Sequence, residues 1–287
     1  MTVWTEFQGG GVQERYYQAG PIRTRVLEAG EGGRPLFLLH GTTGHAEAYC
    51  RNLVPLSSDR RVLAVDMLGH GYTDRPDLDY SLDDYVGHLV DLADTIGADK
   101  VDLSGESLGA MVSAWFAITH PERVGRIVMS TGLLVASPEE CKDDIDRAIR
   151  LTDAVAEDFT WDTVRARMHF LVKNPGDMPD ELVDIRYKIY TQPGMLERQM
   201  RTMRTVLNWL KGDGGQQFME PGIMARISVP TMIFWTTHNP IWHAAQAEQA
   251  AGDIPDCRYE LLDCGHWPQF ECAEQANRLH RDFFAAG

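Results

Sequence analysis

"LSGESLGAM", residues 103–111, is the stretch whose reading decides the fold. "KVDLSGES" before and around it reads as a short buried strand. "LGAMVSAWFAITHPE" after it reads as an apolar helix closed by Pro121. Between them Gly105-Glu106-Ser107-Leu108-Gly109 forms a G-x-S-x-G turn. The two glycines permit a turn too tight for neighbouring side chains. Such a turn lifts the Ser107 hydroxyl above the sheet and aims the positive end of the next helix at it. A bare G-x-S-x-G is common by chance; the strand on one side and the helix on the other give it weight. Ser107 is therefore the candidate nucleophile, with an ordinary loop serine as the alternative.

The same rhythm extends to both sides. "RYYQAG" and "IRTRVLEAG", split by Pro21, read as an antiparallel hairpin. "RPLFLLHG" and "RRVLAVDMLGHG" are continuous apolar runs, as expected of strands buried on both faces. "HAEAYCRNLVPL" between them reads as a helix. "SLDDYVGHLVDLADTIG" reads as another, with a serine cap, an acidic first turn and Gly97 at its end. "VGRIVMSTG" is a further strand. Strands alternating with helices predict a mostly parallel sheet covered on both faces. From about Leu134 to Glu220 the strand signal disappears and helical segments rich in Met, Arg and aromatic residues take over. "VPTMIFWTT" and "CRYELLDCG" then supply two more strands, and "CAEQANRLHRDFFAAG" a closing helix. The expected organisation is an α/β core over residues 1–133, a helical cap over 134–220 and the rest of the core over 221–287.

Two more loops are candidates for chemistry. "LLHGTTG" ends a buried strand; there the N–H of Thr42, with that of Leu108 after the serine, can form an oxyanion hole. "DCGHWPQFE" places His266 between the last strand and the last helix, where it can reach Ser107 as acid and base. The chain has 10 histidines, and His266 is singled out by placement alone.

"HGTTG", "DMLGHG", "GESLG" and "GHWPQFE", in that order, resemble the α/β-hydrolase superfamily from about Glu14 to the C-terminus. The resemblance implies an eight-stranded, mostly parallel sheet with helices on both faces and a helical cap inserted after the sixth strand. It also makes Asp66 and His70 of "DMLGHG" structural residues. A narrower resemblance is to the meta-cleavage product hydrolases, which cut a carbon–carbon bond in vinylogous 1,5-diketones made by ring-opening of catechols. It rests on Trp267 directly after the base and on "ELVDIRYKIYTQPG", which is similar to the cap segment whose arginine binds the substrate carboxylate. That implies Arg186 as the carboxylate ligand, with Gly41 and Trp267 as further substrate contacts. A guanidinium fork suits a carboxylate; a surface ion pair is the plainer role for a cap arginine. The chain departs from that group in a shorter, less glycine-rich loop at "HGTTGHAEAY" and in Glu106, where an asparagine is common.

The superfamily places its triad acid after the seventh strand, and here "FWTTHNPIW", residues 234–242, puts Asn239 in that slot. Three readings stand. Asn239 itself orients His266 through its amide oxygen; or the acid has moved, to Glu139, Glu140, Asp263 or Glu106; or the chain is a non-hydrolytic relative. The first is favoured. The expected function is hydrolysis of a carbon–carbon bond in a carboxylate-bearing ring-cleavage product. The alternatives are an esterase or lactonase, and a small-molecule receptor.

Composition narrows the partners. The formal net charge of −15 disfavours nucleic acid and anionic membranes as partners. Five cysteines without a Cys-x-x-Cys pair suggest neither a disulfide framework nor a zinc site. His238 and His243 lack further ligands at metal-site spacing, so no metal and no cofactor are expected. The N-terminal stretch has no signal-peptide pattern and no apolar run could span a bilayer, so the expectation is a cytoplasmic protein with a small-molecule substrate. The oligomeric state is left open, a homo-oligomer included.

Overall fold

The computed structural model describes residues 2–285. Eight strands form one sheet: β1 (Gln13–Ala19), β2 (Ile22–Ala29), β3 (Leu36–Leu39), β4 (Val62–Val65), β5 (Val101–Glu106), β6 (Val124–Ser130), β7 (Thr231–Thr236) and β8 (Cys257–Leu262). Their order across the sheet is β1-β2-β4-β3-β5-β6-β7-β8. The first two pairings, β1 with β2 and β2 with β4, are antiparallel, and all the others are parallel.

Period-two alternation explains why β3 and β4 read as unbroken apolar runs. Phe37, Leu39, Leu63 and Val65 face one core cluster, together with the helices Leu82–Thr95 and Leu108–Thr119. Leu36, Leu38, Val62 and Ala64 face the other, packed against Phe283 and Phe284 of the closing helix Ala273–Ala285. A strand covered on both sides has no polar face to show.

One predicted helix is corrected. Residues 45–56 do not form a continuous helix; a 3-10 turn covers Ala46–Tyr49 and a short helix restarts at Leu53–Leu56. Pro55 lacks an N–H and would clash with the carbonyl four residues back in an unbroken helix. The restart leaves it in a first turn, where it is tolerated. The beginning of the segment is also tied down. Asp66 accepts the Ala46 N–H at 2.7 Å, and Glu47 pairs with Arg25 at 2.6 Å. Asp66 is fully buried and pairs with Arg25 at 3.0 Å, so "DMLGHG" holds a turn together.

Between β6 and β7 the chain runs through the helices Lys142–Glu157, Trp161–His169, Asp180–Tyr190 and Met195–Leu210. They pack on one another, on Trp267 and on Phe270, over the C-terminal ends of the parallel strands. Polar ties join them to the loop after β4: Arg198 to the Leu78 carbonyl at 2.7 Å and to Asp77 at 2.8 Å, and Gln199 to the Gly69 carbonyl at 2.7 Å. Among the described residues no helix is long and apolar enough to cross a membrane.

Candidate active site

The turn after β5 brings Ser107 to the end of the sheet in a conformation that side chains avoid. Its φ is +52° and it begins the helix Leu108–Thr119. The strain persists because the surroundings over-determine it. The Ser107 N–H donates to the Ser130 carbonyl at 2.8 Å at the end of β6. A methyl group at Gly105 would overlap the Gly109 backbone, one at Gly109 the Leu39 carbonyl, and one at Gly132 the Ser107 carbonyl. Three strand ends and a helix start therefore close around the serine only because these positions are glycine. As the first residue of that helix, Leu108 has no carbonyl one turn back to bond, so its N–H is available to a developing anion.

His266 lies in the loop after β8, and the rest of the molecule positions its backbone. Its N–H donates to the Leu171 carbonyl at 2.6 Å, and its own carbonyl accepts from Thr131 Oγ1 at 2.9 Å. Glu271 caps the same loop, accepting the N–H groups of Gly265 and Trp267. The ring is 4 % exposed.

Asn239 makes the contact expected of the third position: its Oδ1 stands 2.9 Å from His266 Nδ1. The amide orientation follows from a second bond. The Ile241 N–H donates to the same Oδ1 at 3.2 Å, so turning the amide round would set two donors against each other. An acceptor therefore faces Nδ1, which carries the proton, and Nε2 keeps its lone pair. The displaced-acid alternatives separate on geometry. Asp263 pairs with Lys173, Thr237 and His238 at the surface, away from Nδ1. Glu139 and Glu140 lie exposed in the turn before the helix Lys142–Glu157.

Glu106 is different. Its Oε1 stands 3.2 Å from His266 Nε2, while its Oε2 accepts the Gly41 N–H at 2.7 Å. A carboxyl group thus meets the imidazole on the opposite edge from the one a triad acid would use. Burial pushes the Glu106 carboxyl up to about 8. Burial also brings the His266 imidazole down to about 3, with the Arg167 charge adding to the effect. At neutral pH burial therefore favours the uncharged form of each group, the carboxylic acid of Glu106 and the neutral imidazole of His266. Among the described residues no hydrogen bond joins Ser107 to His266, and Nε2 is engaged by Glu106 in this arrangement. In the sequence Glu106 stands next to Ser107 as one of the candidates for a displaced acid.

A cavity of about 40 Å³ between sheet and helices is lined by Gly41, Thr42, Glu106, Ser107, His266 and Trp267. Gly41 also lines the cavity, but its N–H is occupied by Glu106, and a side chain there would sit on that carboxyl. Arg186 reaches the same cavity from the helix Asp180–Tyr190. It is 3 % exposed, its Nε has no partner, and its guanidinium lies over the Trp267 ring at 5.3 Å. It is no surface ion pair. Met203 lines the cavity, while Trp161 bonds Asp184 and Phe170 lies beneath Arg147 and Arg167. Arg167, which sequence reasoning passed over, is a further lining residue.

Comparison with known proteins bears on this arrangement. The alpha/beta hydrolase fold family profile matches residues 34–273. The chain is 31 % identical over 272 residues to a 2-hydroxy-6-oxo-6-(2'-aminophenyl)hexa-2,4-dienoic acid hydrolase of Metapseudomonas resinovorans, covering 91 % of this chain and 87 % of the relative. It is 30 % identical over 273 residues to a 2-hydroxymuconate semialdehyde hydrolase of Pseudomonas sp. strain CF600, covering 93 % and 92 %. Among solved structures, a serine hydrolase involved in carbazole degradation superposes with a TM-score of 0.80 at 27 % identity, covering 96 % of this chain and 100 % of that one.

Proposed function

We propose, from the premise that the chain belongs to the α/β-hydrolase family and is similar to its meta-cleavage product hydrolases, that it hydrolyses a carbon–carbon bond in a carboxylate-bearing ring-cleavage product of aromatic degradation. The observation that carries the reading is Arg186. It is a buried guanidinium with no ion-pair partner among the described residues, in the cavity that Ser107 and His266 line. A substrate carboxylate would supply the missing charge with matching geometry.

The proposed reaction uses the groups in order. Arg186 holds the carboxylate of the dienol, against Trp267. His266 Nε2 accepts the enol proton and returns a proton to the chain carbon beside the far carbonyl, giving the ketone. Ser107, or water polarised by it, adds to that carbonyl, and the released proton goes to Nε2. The N–H groups of Thr42 and Leu108 receive the oxyanion. When the carbon–carbon bond breaks, its electron pair leaves as the dienolate of the carboxylate fragment, which takes the proton back from His266. Where Ser107 has attacked, water then releases the acyl group. Asn239 keeps His266 in the Nδ1–H tautomer throughout but adds no negative charge. Glu106 faces Nε2 as a carboxylic acid at neutral pH, so it lends the imidazolium a negative charge only once it has itself ionised.

The test is optical. A dienol chromophore made by ring-opening of a catechol should bleach on addition of the protein. Ser107→Ala should slow that turnover by about a thousandfold or more. Arg186→Ala should act mainly by raising KM. Hydrolysis of p-nitrophenyl esters without bleaching would replace this reading with an esterase, and near-normal rates for Ser107→Ala would remove the serine from the chemistry.

A further inference from the structure

The cavity is lined by two guanidinium groups rather than one. Arg186 makes no hydrogen bond or ion pair among the described residues. Arg167, on the helix Trp161–His169, has equally little to balance its charge. Its Nε donates to Thr152 Oγ1 at 3.3 Å, its Nη2 reaches Met203 Sδ at 3.5 Å, and its Nη1 is shut away from solvent with no partner. By contrast Arg25 pairs with Asp66 and Glu47, Arg60 with Asp102, and Arg198 with Asp77. An uncompensated buried charge is costly, and removing it from water is repaid only by a partner of opposite sign.

The one carboxyl group lining the cavity does not fill that role. Glu106 has one oxygen on the Gly41 N–H and the other on His266. Burial lowers the Arg167 guanidinium to about 10, still high enough to leave it charged at neutral pH. The two charges are felt by different titratable groups around the site. The Arg186 charge acts on His40, His70 and Glu106 at the ends of β3, β4 and β5. The Arg167 charge acts on His266. Both guanidinium groups line the cavity that Ser107 and His266 line, and the Arg186 charge also acts on Arg167. The helix Met195–Leu210 adds Met203, Val206, Leu207 and Leu210 to the lining, an apolar wall suited to a carbon chain.

Resting on the activity proposed above, we infer that the substrate is a dianion: one carboxylate on Arg186, and a second, on the far side of the bond to be cut, on Arg167. Arg167 is then the residue that sets specificity for the far substituent, choosing an acidic end over a hydrocarbon one. A polar site made for one group rejects an analogue lacking it, because its own buried donors are left unpaired.

Two matched ring-cleavage dienoates, alike except that the far substituent ends in a carboxylate or in a methyl group, test this. The wild-type protein should favour the carboxylate-ended one in kcat/KM by about tenfold or more, and Arg167→Met should erase that preference, chiefly through KM. Equal losses on both substrates, or a wild-type preference for the methyl end, would overturn the inference. Calorimetry with adipate, pimelate and suberate against hexanoate, heptanoate and octanoate separates it from the activity itself. If neither dienoate is cleaved but a dicarboxylate binds about tenfold more tightly than its matched monocarboxylate, with the advantage lost in Arg167→Met, the dianion site stands and the reaction assignment fails. No dicarboxylate advantage in the wild-type protein would sink the dianion site. Arg167→Lys, which keeps the charge and loses the fork, is the second variant should the methionine one not fold; it should retain part of the advantage, and full loss of selectivity with a folded protein would count against a charge-based role.

Discussion

At the scale of single residues, the site turns on which edge of His266 meets a carboxyl group. Asn239 offers Nδ1 a neutral oxygen at 2.9 Å, and Glu106 meets Nε2 at 3.2 Å. The neutral partner fixes the tautomer but does little for the protonated ring; a negative charge at Nδ1 would do both. Asn239→Asp should therefore raise the His266 pKa and move the acid limb of kcat/KM to higher pH. Turnover at neutral pH should increase by on the order of tenfold where proton transfer to His266 limits the rate. A pH–rate profile compared with the wild type checks this, and an unchanged profile would detach Asn239 from the base. Some stability should be lost as well. Asn239 Nδ2 is buried without a partner, so the second carboxylate oxygen would inherit an unsatisfied position.

Among the elements, the turn between β5 and the helix Leu108–Thr119 is where sequence and geometry agree most closely. Gly109 lies against the Leu39 carbonyl of β3, and no rotamer change could relieve a methyl group placed there because the obstacle is backbone. Gly109→Ala should cost about 3 kcal/mol or more, seen as a lower midpoint in chemical denaturation, with loss of activity in whatever fraction still folds. A stability within experimental error of the wild type would mean that β3 and the helix do not approach so closely. The G-x-S-x-G spacing was legible because it encodes a local backbone shape. The loop carrying His266 was legible by its place between strand and helix, but its supports were not. Leu171, Thr131 and Glu271 come from separate segments, and nothing in their local sequence marks them as partners of the base.

Over the whole molecule, burial of ionisable groups at the site ties stability to pH. Glu106 rises from an ordinary 4.5 to about 8, so the folded chain binds more protons than the unfolded one between those values. Its contribution is fully present below about 4.5 and is lost as pH rises toward 8. His266 runs the other way. Its ordinary value of 6.5 falls to about 3, so its contribution is present above 6.5 and is lost as pH falls toward 3. Glu106→Gln removes only the alkaline decline. Relative to the wild type, the variant should gain stability between about pH 5 and pH 9 by a few kcal/mol, each tenfold separation in proton affinity being worth about 1.4 kcal/mol. Urea unfolding at both pH values measures it, and a constant difference would mean that Glu106 is ionised throughout.

By itself the sequence determined the parallel sheet, the serine turn and the candidate base, because each is written in local periodicity, order or a short spacing, and its resemblance to the superfamily marked the position that lacks an acid. Only the tertiary structure decided that Asn239 faces Nδ1, that the neighbouring carboxyl is Glu106 at Nε2, and that Arg167 joins Arg186 in one cavity. Asn239 and His266 stand 27 residues apart, and Glu106 reaches Gly41 across 65. Charge pairing at such separations depends on distance and burial, which exist only once the chain has packed.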